Sequence, residues 1–333
     1  MVHMNITLTI NSIPHPLATT PSETLFSVLR RLGYYGLKFG DEHGLSGSDT
    51  VLLDSRPVNA GSLLAAQAEG HKLVTIEGLG EHPDQGWKKT TGLHPLQLAF
   101  IETGAIQCGY CTPAQILTAK ALLDGNPDPT EAEVRASIAG VLCRCTGYQK
   151  PVQAILRAAA VMRGEAPPSL TMTPVSPQMT IVPEMKTYQV VGKPEKKVDA
   201  IKLAQGKPAF TADIDLRNML HAKILHSPHA HARIKKIDAR KARALPGVAA
   251  VLTWQDLPRV VYSTAGQSDP IPGPLDMFSL DDKVRFVGDR VAFVAAETSD
   301  IAEQALIDRR GIRAPASPAR PGGGNETRCG VHP

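Results

Sequence analysis

The sequence predicts a multi-domain α+β protein, and three observations predict it. The first 80 residues mix strand and helix patterns, the next 70 or so are helical, and a proline-rich connector then leads back to mixed α/β character. At 333 residues the chain has room for two or three compact units. With 42% hydrophobic and 20% charged residues it reads as a globular protein, and only 5% aromatics leave the core to Leu, Ile, Val and Ala. A net charge of +4 is too small to argue for nucleic acid without a concentrated patch. No apolar run approaches the roughly 18–20 residues that span a bilayer. The start, Met1-Val2-His3-Met4-Asn5, lacks the basic and apolar regions of a signal peptide. A cytoplasmic chain without a membrane span is therefore expected.

Each element follows from its local pattern. In residues 5–10 the apolar Ile6, Leu8 and Ile10 alternate with polar residues, the period of a half-buried strand, and Asn11-Ser12 reads as a hairpin turn. Pro21-Ser22-Glu23 opens a short helix with Leu25, Val28, Leu29 and Leu32 on one stripe and Gly33 as its stop. A Gly-rich, acidic loop at 40–49 leads to the strand Thr50-Val51-Leu52-Leu53. A turn at Asp54-Ser55, a short helix near 62–68 and a closing strand at 72–76 complete a unit over 1–80.

Residues 81–92 form a polar connector to an all-α unit expected at 90–165. There Thr112 reads as a helix N-cap, with Pro113 at the first helical position and Gln115 completing a capping box. Thr130 and Glu133 predict a second capping box. Val134, Ile138, Val141 and Leu142 then mark the buried face of a helix that carries the chain to Cys143. A last helix is expected over 152–162. Pro167, Pro168, Pro174, Pro177 and Pro183 make 166–189 a semi-extended linker. In a third unit, 190–306, strands are expected at 220–225 and 248–252 and as a pair across 286–296, before a helix at 301–306. The tail, 307–333, has no periodicity that could bury a face and is expected to be disordered.

Five cysteines cannot all pair. Four form Cys108-x-x-Cys111 and, after 31 intervening residues, Cys143-x-Cys145, while Cys329 stands alone. Without a secretory signal, such clustering points to metal before disulfides. Cys111 falls at the start of a helix, where the helix dipole favours a thiolate. Two soft thiolate pairs suit either a four-coordinate zinc or an iron–sulfur cluster, and spacing alone leaves both open.

The stretches Gly104-Ala105-Ile106-Gln107-Cys108-Gly109-Tyr110-Cys111-Thr112-Pro113-Ala114 and Cys143-Arg144-Cys145-Thr146-Gly147-Tyr148 add specificity. They resemble the helical [2Fe–2S] domain of the molybdenum hydroxylases, the xanthine dehydrogenase and aldehyde oxidoreductase family. The resemblance implies an all-α, four-helix domain whose cluster is held by Cys108, Cys111, Cys143 and Cys145. It also implies a neighbouring molybdopterin, contacted by Gln107 and Cys145, so that this cluster is the first electron acceptor from molybdenum.

Residues 5–80 resemble the family's β-grasp, ferredoxin-like domain, whose cluster loop has the spacing C-x4-C-x2-C with a fourth cysteine further on. Here Asp41, Ser46, Asp49 and Gly61 stand in those positions. Carboxylates and a hydroxyl are poor ligands for iron–sulfide and glycine offers none, so the fold is expected without its cluster. Asp41, Glu42, His43 and Asp49 could instead bind a hard metal, but a solvated acidic turn is the favoured reading.

Residues 190–306 resemble the family's α/β hammerhead domain. The resemblance rests on Gly206-Lys207-Pro208-Ala209-Phe210-Thr211-Ala212-Asp213-Ile214, Ser227-Pro228-His229-Ala230-His231-Ala232-Arg233-Ile234, Leu245-Pro246-Gly247-Val248 and Val284-Arg285-Phe286-Val287-Gly288-Asp289. His221, His226, His229 and His231 suggest a metal site, although the family uses this stretch structurally. The basic run from Arg233 to Arg243 is broken by Asp238 and reads as a solvated face.

Taken together, the resemblance implies the iron–sulfur electron-transfer portion of a molybdenum-dependent oxidoreductase that hydroxylates aldehydes or N-heterocycles such as purines. Similarity fades after Leu306, before the catalytic domain, so no catalytic residue is assigned and the chain alone is expected to be inactive. A truncated gene product is favoured over a separate electron-transfer or assembly subunit docking on a catalytic one, and over a zinc-stapled binding module. The implied partners are a catalytic molybdenum domain or subunit and an electron acceptor of open identity, with a homo-oligomer left open. No dinucleotide fingerprint supports flavin or nicotinamide binding.

Overall fold

A computed structural model describes residues 3–41, 43–80, 92–167, 195–214, 216–264, 275–307 and 316–318. The chain divides into two compact units, Met1–Ile214 and Asp215–Pro333.

The first unit opens with the expected hairpin, β1 (Met4–Ile10) and β2 (Ile13–Thr19). Its two-residue turn, Asn11 and Ser12, takes φ of 50° and 68°, the left-handed pair that a tight hairpin of normal twist needs. Ile6, Leu8 and Ile10 thereby share the buried face. Helix α1 (Leu25–Arg31) is capped by Thr24, whose hydroxyl accepts the Ser27 N–H at 3.2 Å, and it buries Leu25, Val28 and Leu29. Strands β3 (Thr50–Leu53), β4 (Arg56–Asn59) and β5 (Lys72–Val74) complete a sheet of order β2-β1-β5-β3-β4, with β1 and β5 parallel. That is the β-grasp arrangement. The short helix expected near 62–68 is instead two 3₁₀ turns, Ala60–Ser62 and Ala65–Ala68.

Four helices follow: α2 (Pro95–Glu102), α3 (Thr112–Gly125), α4 (Glu131–Ser137) and α5 (Gln149–Met162). Leu96, Phe100, Ile116, Leu117 and Ile155 form their core, which Leu52 and Ile76 enter from the β-grasp side. The sheet and the helices therefore share one hydrophobic interior. The Thr130–Glu133 capping box forms as expected, with reciprocal bonds of 2.7 and 3.3 Å.

Two local expectations fail. Thr112 is the first residue of α3, buried at 2% exposure, and Cys111 occupies the cap position. Gln115 closes no capping box, and its buried Nε2 has no partner. Helix α4 stops at Ser137 rather than reaching Cys143, because Leu142 gives its N–H to Ser46 O (2.8 Å) in the N-terminal loop instead of continuing a helical ladder.

Residues 195–214, grouped by sequence with the third segment, pack within the first unit. Helix α6 (Ala200–Ala204) buries Ala200, Leu203 and Ala204 in the helical core, and Gln97 Nε2 donates to Ala204 O at 3.0 Å. Most of the expected linker, 168–194, lies outside the described residues, as do Glu42 and Cys329.

The second unit contains β6 (His221–His226), β7 (Ala232–Ile234), α7 (Arg240–Arg243), β8 (Val248–Leu252), β9 (Lys283–Val284), β10 (Arg290–Ala296) and α8 (Ser299–Ile307). Antiparallel β6-β10-β8 forms one sheet, with Ala292, Val294 and Ala296 of β10 buried together with Ala302 and Ala305 of α8. The strand pair expected across 286–296 is the single strand β10. Residues before it turn at Gly288, where φ is 92°. Part of the tail is also structured: β11 (Ala316–Pro318) joins β7 in the sheet β11-β7-β9. The free edge of β7 supplies the backbone partners that the tail's own pattern could not predict. Among the described residues no helix is long and apolar enough to cross a membrane.

Candidate metal centre

Cys108 and Cys111 lie in the turn between α2 and α3. Gly109 makes that turn with φ of 83°, and a Cβ there would come within 2.6 Å of the Leu203 side chain on α6. Only glycine serves both demands. Cys111 is buried at the N-terminus of α3, where unpaired helical N–H groups favour negative charge.

Cys143 and Cys145 lie in the turn that precedes α5, and Tyr148 closes that turn. Tyr148 takes φ of 65°, rare for a residue with a side chain, and its hydroxyl accepts the Cys143 N–H at 2.8 Å. Its own N–H donates to Thr146 Oγ1 (3.1 Å), and the same hydroxyl group lies 3.1 Å from Cys143 Sγ.

The four thiols meet as two pairs. Cys108 interacts most directly with Cys145, and Cys111 with Cys143, while Cys108 also feels Cys143 and Cys111 feels Cys108. The first pair is exposed; in the second, Cys111 is buried and Cys143 half-buried. Among the described residues no three His, Cys, Asp or Glu side chains converge on a single ion. Two pairs with different exposure fit a two-iron cluster, in which each iron takes two thiolates, better than one tetrahedral zinc.

The thiols also differ in their readiness to ionise. Burial pushes Cys111 well up, and neighbouring Cys143 adds to it. Burial likewise raises Cys108. Burial acts on Cys143 too, but the Thr146 hydroxyl and the N–H groups of Thr146 and Cys145 outweigh it and leave that thiol below its ordinary value. Gln107, beside Cys108, is exposed.

Asp41, Ser46, Asp49 and Gly61 gather around one loop, yet their polar atoms are already engaged by the backbone. N–H groups from Leu45, Ser46 and His43 hold the Asp41 carboxyl well below the usual carboxylate range. Burial pushes Asp49 up, while the Gly61 N–H pulls the other way. Among the described residues Asp41, His43 and Asp49 do not converge as a metal site, and Glu42 lies outside the described residues. His221, His226, His229 and His231 are all exposed and do not converge, and His226 Nδ1 pairs with Gly288 O at 2.7 Å.

Sequence patterns missed the groups that brace the centre. Tyr148 and Thr146 shape the second turn, while Tyr110, inside the first cysteine motif, reaches out to donate to Phe39 O at 2.6 Å. Tyr110 also meets the Phe210 ring edge-on, with centroids 5.1 Å apart. The segment carrying Phe210 is anchored by Asp213, which accepts from Arg30 Nη1 (2.8 Å), Lys38 Nζ (2.6 Å) and the N–H groups of Ala209 and Phe210 (3.0 and 3.1 Å). Burial opposes ionisation of Asp213, but these donors prevail and bring its pKa down to about 2. The one available signal was an aromatic residue placed directly after a glycine or inside a C-x-x-C turn.

Comparison with known proteins agrees with this geometry. The family described as a [2Fe-2S] binding domain matches residues 75–156, and the aldehyde oxidase and xanthine dehydrogenase a/b hammerhead domain matches 205–308. The chain is 36% identical over 307 residues to the probable hypoxanthine oxidase XdhD of Escherichia coli, covering 91% of this chain and 30% of that protein. Over 151 residues it is 42% identical to the nicotinate dehydrogenase small FeS subunit of Eubacterium barkeri, covering 45% of this chain and 91% of that one. The aldehyde oxidoreductase structure from Desulfovibrio desulfuricans superposes with a TM-score of 0.75 at 30% identity, covering 95% of this chain and 34% of that chain. The chain thus spans about a third of the length of the longer proteins it resembles.

Proposed function

The chain belongs to the molybdenum hydroxylase family, and from that premise we propose that it is the iron–sulfur electron-transfer portion of a molybdopterin-dependent oxidoreductase. Cys108, Cys111, Cys143 and Cys145 would hold one [2Fe–2S] cluster, which when bound takes up and releases one electron at a time. The observation that carries this reading is the sorting of four thiols into an exposed pair and a more buried one. The exposed pair, with exposed Gln107 beside it, leaves a face open to a molybdopterin carried by a catalytic domain or subunit. Cys111 of the more buried pair sits at the α3 N-terminus, where N–H groups and the helix dipole stabilise anionic sulfur.

Relatives named as hypoxanthine oxidase, aldehyde oxidoreductase and nicotinate dehydrogenase support hydroxylation of aldehydes or N-heterocycles as the parent reaction. Metal and acid-labile sulfide analysis of the purified chain, with EPR after dithionite reduction, tests the proposal. Iron and sulfide in equal amounts with a reduced-cluster signal are expected; stoichiometric zinc with no visible absorbance would overturn it.

A further inference from the structure

The β-grasp loop stands where a plant-type ferredoxin would wrap a second cluster, and its residues do not fit one. Asp41 Oδ1 accepts the N–H groups of His43 (2.8 Å) and Leu45 (2.9 Å), and Oδ2 accepts that of Ser46 (2.6 Å). Converging backbone N–H groups of this kind are the donors that an anionic iron–sulfur cluster otherwise engages. Asp49 Oδ2 takes the Gly61 N–H at 2.6 Å, and a Cβ on Gly61 would lie 2.9 Å from that oxygen, so a side chain at position 61 would have to displace the Asp49 carboxylate. A Cβ at Gly40 would collide with the hydroxyls of Ser46 and Ser48. Side chains fill the inside of the loop.

The same loop touches both cysteine turns of the helical centre. Ser46 O accepts the N–H of Leu142, the residue before Cys143, at 2.8 Å. Gly47, with φ of 65°, lies so close to Gly140 that a Cβ would strike its carbonyl oxygen. Phe39 O accepts the hydroxyl of Tyr110, between Cys108 and Cys111, at 2.6 Å.

We propose that the Asp41 carboxylate stands in for a lost cluster as the anion that folds this loop, and that the loop now positions the cysteine pairs of the helical centre. Asp41 is thus a positioning residue, acting on Cys143 through Ser46 and Leu142. The chain then carries one redox centre, and reductive titration takes up one electron per chain. The inference rests on the cluster reading above.

The test uses the full chain, reconstituted anaerobically with iron and sulfide, with iron counted per chain and EPR and midpoint potential measured on the reduced protein. Wild type should hold two irons and show one EPR signal. Asp41→Ala should keep two irons but shift the g-values and the midpoint potential, with Asp41→Glu restoring part of the shift. Tyr110→Phe, which removes only the bond to Phe39, should shift the same observables and serves if Asp41→Ala does not fold. Four irons with two signals in wild type would overturn this inference and leave the cluster reading standing. Unchanged EPR and potential in a folded Asp41→Ala, or in Tyr110→Phe, would overturn the positioning role. An absence of iron would overturn the cluster reading and this inference with it.

Discussion

Replacing Asp213 with Asn should loosen the first unit. Asp213 is the shared acceptor of Arg30 and Lys38, and the Asp213 and Lys38 side chains are 2% and 3% exposed. A carboxyl drawn from 3.8 down to about 2 corresponds to roughly 2.5 kcal/mol of folded-state preference for the charged form, and solvent screening reduces this to about 1–2 kcal/mol. The substitution also leaves the Lys38 ammonium buried beside a neutral amide, and stranding one partner of a buried pair costs up to about 3–5 kcal/mol. Because Arg30 stays partly solvated and Asn can still accept a hydrogen bond, the expected loss is about 2–4 kcal/mol. Urea unfolding followed by circular dichroism measures it, and hydrogen exchange across 200–213 should report local release. The folded-state pKa is depressed, so the Asp213 contribution is complete above pH 3.8 and lost as pH falls through about 2. The stability gap between wild type and variant should therefore close across that acid window. Adding Lys38→Met should cost no further stability, since it removes the stranded charge. A loss below about 0.5 kcal/mol, or a gap that persists at pH 2, would refute the reasoning.

Three further outcomes follow from the same structure. Tyr148→Phe removes the acceptor of the Cys143 N–H and should destabilise by about 1 kcal/mol while shifting the cluster's midpoint potential, read by denaturation and by redox titration. Gly47→Ala forces a Cβ into positive φ and against the Gly140 carbonyl, and should lower stability by about 2 kcal/mol or more in thermal melts. Burial raises the thiols of Cys111 and Cys108, so they must lose protons to bind metal. Reconstitution of the apoprotein with iron and sulfide should therefore proceed faster at pH 9 than at pH 7, and a pH-independent rate would contradict this.

Much of the molecule was legible in local pattern. Alternation in β1, the Asn11-Ser12 turn, the stripe on α1 and the Thr130 capping box all formed where short-range geometry alone decides. The cysteine motifs pointed to the candidate centre because ligand chemistry restricts residue type and spacing together. What local pattern could not decide depended on partners distant in sequence. Helix α4 ends early because Ser46, almost a hundred residues upstream, offers Leu142 N–H an acceptor. Residues 195–214 join the first unit because Asp213 finds Arg30 and Lys38 there, and β11 forms because β7 has a free edge. The pairing of Cys108 with Cys145 and Cys111 with Cys143, and the exposure that separates the two pairs, likewise arise only when the turns are packed. Periodicity records which face of an element is apolar; which backbone group meets which, across a hundred residues, is set by the packing of those faces.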